Sequence, residues 1–327
     1  MYDFKYPSQI GLEITNKCNL KCCHCINSSS NDNNDEMSFE KVKEIIDYMH
    51  SHGLVCLDYS GGEPLLHKDL VKMLDYGCKK GLNQSIATNG LLLTQDAIDL
   101  LNRYHVTVRI SYDGYDEPSY SKIRGEGLFE IVLNNIKRAI SKGMEITLVT
   151  VLHSENVYDT KRYIESVADL GVKKLRLMPF VPIGRGAVSN LSMISPEQWK
   201  YILVNFQVWG NQLGVMVVVD SPLMSITHGL VCPCVVGKFY LVIKTNGDAI
   251  PCPLLNCSLG NIYHNTIDEI WHNSIMKEIN DLSLLNKECL DCEHLHACAG
   301  GCRGLAYTMK GSYLCKDPLC WLQSQNK

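Results

Sequence analysis

The segment CNLKCCHC, Cys18 to Cys25, places four cysteines within eight residues, directly after the apolar run GLEIT. Three of them, Cys18, Cys22 and Cys25, have the spacing CxxxCxxC, and thiolates crowded on one loop suit metal or redox chemistry. Three protein ligands are one fewer than the four that close an iron-sulfur cluster or a structural zinc site, so a metal held there keeps one position open. The residues alone also allow a zinc knuckle or a set of buried thiols, because cysteine packs as a small apolar residue. On chemistry alone, Cys23 can stand in for Cys22.

A second concentration lies toward the C-terminus, where ten of the 16 cysteines fall between Cys232 and Cys320. Cys289, Cys292, Cys298 and Cys302 form CxxCxxxxxCxxxC, preceded by Cys232, Cys234, Cys252 and Cys257 and followed by Cys315 and Cys320. Iron-sulfur or zinc ligation both fit such spacing. Cys56 and Cys78 read as core residues of a strand and a helix.

Polar groups recur at comparable places. SGGEP, Ser60 to Pro64, joins two glycines, which let backbone come close to a ligand, to Glu63, a carboxylate suited to an ammonium group. Thr88 and Asn89 in TNG line a pocket or cap a turn. Ser111 and Asp113 in SYDG offer a hydroxyl and a carboxylate to a polyol. Arg124 in KIRGEG supplies a fork for a carboxylate, and Arg185 in LMPFVPIGRG either faces substrate or is a surface charge.

The elements that must position these groups are legible as alternation. Short β-type runs (GLEIT, VCLDYS, QSIAT, VTVRIS, EITLVTVL, KKLRLMPF) are each followed by an amphipathic helical pattern. Six strand-helix units predict a parallel sheet, either open or a partial barrel, with ligands gathered at the C-terminal ends of the strands. CNLKCCHC, GGEP, TNG and SYDG each stand at the end of one of these strands. Beyond Val219 the pattern changes: FYLVIKTNGDAIP predicts a β-hairpin turning at Asn246-Gly247, and the short Cys-dense remainder calls for metal staples. Two domains are expected, 1–219 and 220–327.

The formal net charge is −4 over 327 residues, and no Lys/Arg run forms a phosphate-tracking patch, which argues against nucleic acid as a partner. No signal-peptide layout and no stretch of about 18 apolar residues occurs, so the expectation is a cytoplasmic protein without a membrane partner. A reducing compartment disfavours disulfides for these cysteines.

From Gly11 to Gly186 the sequence resembles the radical S-adenosylmethionine (SAM) superfamily, and the order Cys234, Gly247, Cys252, Cys289, Cys292, Cys298, Cys302, Cys320 resembles its SPASM extension. The resemblance implies a partial (β/α)6 TIM-like barrel followed by a small Cys-rich SPASM domain. It implies that Cys18, Cys22 and Cys25 hold a [4Fe-4S] cluster whose open iron binds SAM, and that Gly61, Gly62 and Glu63 bind the SAM amino group. Ser111 and Asp113 would then serve the ribose, His24 would lie beside the adenine, Arg124 would hold the SAM carboxylate, and Thr88 and Asn89 would line the pocket. Two auxiliary [4Fe-4S] clusters follow by the same likeness. One would be held by Cys234, Cys252 and Cys302 with Cys232, or Cys257 behind it, as fourth ligand. The other would be held by Cys289, Cys292, Cys298 and Cys320, with Cys315 competing for the last place. The implied activity is reductive cleavage of SAM and hydrogen-atom abstraction from a peptide or protein, with an electron donor such as flavodoxin or ferredoxin. The alternative is a small-molecule or tetrapyrrole-modifying enzyme such as an oxidative decarboxylase. Because the cysteine loop begins at Cys18, a separate leader-recognition partner is expected for a peptide substrate, or none.

Overall fold

The computed structural model describes residues 5–229 and 234–322. The predicted alternation forms, in order, β1 (Gln9–Thr15), α1 (Phe39–Ser51), β2 (Cys56–Gly61), α2 (Leu70–Lys79), β3 (Asn83–Thr88), α3 (Gln95–Arg103) and β4 (Thr107–Ser111). It continues with α4 (Glu117–Arg124), α5 (Phe129–Ser141), β5 (Ile146–Leu152), α6 (Thr160–Asp169), β6 (Lys174–Pro179), α7 (Pro196–Leu213) and β7 (Met216–Val219). The helices form for local reasons. Ser38 caps α1 through the Lys41 N–H, and Val42, Ile45, Ile46 and Met49 give it one buried stripe. A capping box of Ser195 and Gln198 starts α7.

Strands β1 to β7 are parallel neighbours in sequence order, and the sheet does not close. β1 is buried along almost its whole length, with Ile10, Leu12 and Ile14 fully inaccessible, as a central parallel strand covered on both faces must be. The structure adds three things to the sequence expectation. A seventh parallel strand, β7, pairs with β6. A short helix, α4, started by the Asp116–Ser119 capping box, carries Arg124. The predicted hairpin forms as β8 (Tyr240–Ile243) and β9 (Asp248–Ile250), followed by β10 (Gly260–Asn261), and β8 lies parallel to β1. The region beyond residue 219 therefore shares one ten-stranded sheet with the barrel, in the order β10-β9-β8-β1-β2-β3-β4-β5-β6-β7. Among the described residues no helix is long and apolar enough to cross a membrane.

The ends of β1 and β2 meet at close range. Gly62 N–H donates to Thr15 O at 2.6 Å and Glu63 N–H to Lys17 O at 2.8 Å. A Cβ on Gly61 would lie 2.2 Å from Thr15 O, and one on Gly62 would lie 2.1 Å from Lys17 O. What these glycines admit is the protein's own backbone, which cannot yield as a flexible side chain could. Gly62→Ala is therefore expected to lower stability by about 1–3 kcal/mol, as overpacking does, read as a reduced denaturant midpoint at unchanged m-value. An unchanged midpoint would contradict this account of the crossing.

Candidate metal and cofactor site

The loop after β1 carries Cys18, Cys22, Cys23, His24 and Cys25, and the chain pins it from several sides. Cys18 N–H donates to Ser30 O, and Cys23 N–H to Ile123 O beside Arg124. Arg185, half-buried, binds the main chain of the cysteine loop: its Nε donates to Cys22 O and its Nη2 to Ser29 O, each at 2.8 Å. Its backbone N–H reaches Cys25 O, and a Cβ on the preceding Gly184 would strike Ile26 O at 2.2 Å. The residue thus staples the segment after β6 onto the cysteine loop. Burial above all, with Glu63, Cys22 and Cys25 nearby, pushes Cys18 up to about 11, and burial, Asp113 and Cys25 raise Cys22 against the opposing charge of Arg124. Cys23 turns aside, with its sulfur toward Lys122 O.

Glu63, placed after β2, is fully buried. Its Oε1 accepts from Thr88 Oγ1 at 2.8 Å and Leu65 N–H at 3.1 Å, and its Oε2 accepts from Asn89 N–H at 2.8 Å. Burial raises its pKa, and these bonds oppose the rise. Thr88 and Asn89 therefore orient Glu63. Asn89 also reaches Asn19 Oδ1 at 2.8 Å and has its Nδ2 3.9 Å from Cys18 Sγ, joining the carboxylate to the cysteine loop.

Asp113, after β4, is buried and held by a fork from Arg124, with Nε at 2.6 Å and Nη2 at 2.5 Å. Its other oxygen accepts from Val151 N–H at 2.7 Å. Burial would raise this carboxyl, but Arg124, His24 and the Val151 N–H hold it below its usual range. Arg124 thus spends two donors on Asp113, while its Nη1 points to Cys22 Sγ at 3.5 Å. His24 Nε2 lies 3.6 Å from Asp113. Burial, then the Arg124 charge, lowers the His24 pKa to about 4, so its ring is neutral at neutral pH. Ser111 ends β4 half-buried at the same rim.

The C-terminal cysteines sort into two groups. Cys302 is raised by burial and by the charges of Asp317, Cys234 and Cys252. Cys252, pushed up to about 12, responds to burial, Cys234 and Cys257. Separately, burial, Cys298 and Cys320 act on Cys289, at about 11, and Cys292 adds to the burial of Cys298. Cys232 lies outside the described residues. Cys257 bonds with Tyr307, and Cys78 is exposed on α2, correcting its expected place in the core.

Four groups had no signal in the motifs. Asp317, buried, accepts from Cys302 N–H at 2.8 Å and Leu319 N–H at 2.8 Å. Arg303, also buried, donates to Ala299 O and Tyr313 O and lies within electrostatic reach of Cys234 and of Cys289 and Cys298. Glu13, buried on β1, and Lys244, after β8, line a cavity of about 240 Å³ between the cysteine loop and the hairpin. The CxxxC and CxxC frames could have pointed to Arg303, adjacent to Cys302; Glu13 and Lys244 are brought together by the pairing of β1 with β8, and Asp317 lies in irregular chain between Cys315 and Cys320.

These residues fit iron-sulfur clusters and SAM. All described cysteines are free thiols. Among the described residues, no three His, Cys, Asp or Glu side chains are close enough to share one metal ion, whereas the ligands of a cluster bind different irons. Around the first group, His24 Nδ1, Ser29 Oγ and Tyr120 OH are buried without hydrogen-bond partners, which leaves polar capacity for a ligand. Because Asp113 and Arg124 are buried as a pair, Arg124→Met alone is expected to cost about 3–5 kcal/mol of stability by leaving the carboxylate uncompensated. The double variant Asp113→Leu/Arg124→Met should recover most of it. Additive losses in a denaturation cycle would contradict the pairing.

Residues 12–167 match the radical SAM superfamily, and residues 232–293 match an iron-sulfur cluster-binding domain, SPASM. An AdoMet-dependent heme synthase of Methanosarcina barkeri is 29% identical, over 96% of this chain and 96% of its own length. A PqqA peptide cyclase of Streptomyces rochei is 26% identical, over 97% of this chain and 90% of its own. The crystal structure of Streptococcus suis SuiB bound to S-adenosylmethionine superposes with a TM-score of 0.80 at 16% identity, covering 97% of this chain and 78% of that one. Two domain matches in chain order, on an unclosed parallel sheet with three thiols at its mouth, make this chain a member of the radical SAM superfamily with a C-terminal SPASM domain and SAM and [4Fe-4S] clusters as its cofactors.

Proposed function

We propose that Cys18, Cys22 and Cys25 hold the SAM-binding cluster and that Glu63 receives the SAM ammonium. With cluster and SAM bound, that pair supplies one-electron cleavage to methionine and a 5′-deoxyadenosyl radical, which takes a hydrogen atom from substrate. The chain's own part is placement and exclusion of water. Thr88 and the Asn89 N–H fix the Glu63 carboxylate, Arg185 fixes the loop, and neutral His24 offers a ring face and an unpartnered Nδ1 to the adenine side. Ser111 stands at the ribose side. Asp113 acts mainly by holding Arg124, whose Nη1 faces the sulfur of Cys22 and would serve the SAM carboxylate. The observation that carries this reading is a fully buried carboxylate tied, through Asn89, to the three-thiol loop.

For the C-terminal region, 220–327, the assignment is Cys234, Cys252 and Cys302 to one auxiliary cluster, with Cys232 or Cys257 as fourth ligand, and Cys289, Cys292, Cys298 and Cys320 to the other. Electrostatic coupling within each set supports the partition and favours Cys320 over Cys315.

The substrate in this reading is a peptide or protein, modified by crosslinking, oxidation or decarboxylation, with electrons from a flavodoxin or ferredoxin. Likeness to the peptide cyclase over 97% of the chain supports it. So does the size of the cavity beside the cysteine loop, about 240 Å³. That is below the roughly 300–1,000 Å³ of sites that enclose a whole small molecule, and it suits one side chain of a longer substrate. The second reading, a tetrapyrrole-directed enzyme that decarboxylates a propionate, is favoured by full-length likeness to the heme synthase.

Replacing Cys18, Cys22 and Cys25 together by Ala is expected to abolish deoxyadenosine formation and remove one cluster's worth of iron, leaving the auxiliary signals in electron paramagnetic resonance. Retained deoxyadenosine formation would overturn the ligand assignment. Cys289→Ala should still cleave SAM but yield no product, and normal product formation would remove the proposed role of the second auxiliary cluster.

A further inference from the structure

The cavity between the cysteine loop and the hairpin is bounded by Glu13 of β1, Ile26 and Asn27 beyond Cys25, and Lys244, Pro253 and Asn256 around Cys252. It thus lies between the three-thiol loop and the first auxiliary set. Its walls are amide-rich, with a single ammonium group. Lys244 Nζ donates to Asn256 Oδ1 at 2.9 Å, and among the described residues no carboxylate lies within ion-pair distance of it. Glu13 shares the cavity but is engaged elsewhere, accepting from Asn27 Nδ2 at 3.0 Å. Burial raises the Glu13 carboxyl, which weakens it further as a counter-ion, although Asn27 and Lys244 oppose the rise.

Lys244 is half-exposed and Asn256 is exposed, so the ammonium stays hydrated and open to an anionic group entering the cavity. Lys244 keeps two N–H donors after Asn256 takes one, and because Asn256 turns its oxygen to Lys244, its Nδ2 is left to donate. Those donors match the two oxygens of a carboxylate. A phosphate dianion would bring a second negative charge toward Glu13, for which the cavity has no second cation, and the small volume also favours the lesser group.

We propose that this cavity is a substrate subsite for a carboxylate group, with Lys244 as counter-ion and Asn256 as second donor. The inference rests on the radical SAM reading above, since it places the carboxylate-bearing arm of the substrate between the SAM-binding loop and the first auxiliary cluster. The shared chemistry has two sources, a carboxylate side chain of a peptide or the propionate of a tetrapyrrole.

The test uses reconstituted holoenzyme without reductant, so that binding is read apart from turnover. Dissociation constants are measured for two probe pairs: acetyl-Gly-Glu-Gly-amide against its Gln analogue, and coproporphyrin III against its tetramethyl ester. At least one acidic probe should bind about tenfold more tightly than its neutral partner, as loss of a charged hydrogen bond entails. Lys244→Met should erase that preference, and Lys244→Arg should keep most of it. The pair that shows the preference names the source. Equal binding within both pairs, absence of binding by both acids, or a preference that survives in Lys244→Met would overturn the subsite. Deoxyadenosine formation by the wild-type enzyme, assayed separately, reports on the underlying reading, so the two failures are distinguishable.

Discussion

The crossing of the β1 and β2 backbones, where Gly61 and Gly62 meet Thr15 to Lys17, fixes the distance between the cysteine loop and the buried carboxylate. Two hydrogen bonds lock it, from Gly62 N–H and Glu63 N–H, and no side chain larger than hydrogen fits there without moving main chain. Since Cys18 follows Lys17 and Glu63 follows Gly62, the chemistry at the barrel mouth inherits its geometry from this one contact. β1 has β2 on one side and β8 on the other, so the same strand also sets where the Cys252 hairpin sits relative to the first thiols.

Buried charge is the second organising feature. Glu63, Asp113, Arg124, Asp317 and Arg303 all lie out of water or nearly so. Such groups persist only when paired or fully hydrogen-bonded. Asp113 and Arg124 neutralise each other, whereas Glu63 is hydrogen-bonded by neutral donors alone and has no cation paired to it among the described residues. The thiols, pushed up by burial, must lose protons on binding iron, so metal loading and the integrity of these sites are coupled.

Much of this was readable in advance. The strand-helix alternation, the motifs at strand ends and the Asn246-Gly247 turn follow from periods and turn residues that are local in sequence. Other features depend on pairing between distant segments. β7, Met216–Val219, is a run of four residues, too short for its period to stand out. The parallel docking of β8 on β1 joins residues more than two hundred positions apart. The same holds for Arg185, whose fork is used by main-chain carbonyls of the cysteine loop, and for Thr88 and Asn89, whose partner Glu63 lies on another strand end. Gly61 and Gly62 stood out in the sequence for closeness to a ligand; their tight approach to the main chain of Thr15 and Lys17 comes from strand pairing and had no local signal.

The most direct test of the central claim is to compare 5′-deoxyadenosine formation from SAM by reduced wild-type enzyme and by Glu63→Gln, after confirming equal iron content. The account predicts a loss of at least about tenfold in the variant, because the neutral amide no longer pairs with the SAM ammonium and turns an NH2 toward one of the donors that hold the carboxylate. An undiminished rate at equal iron content would contradict it.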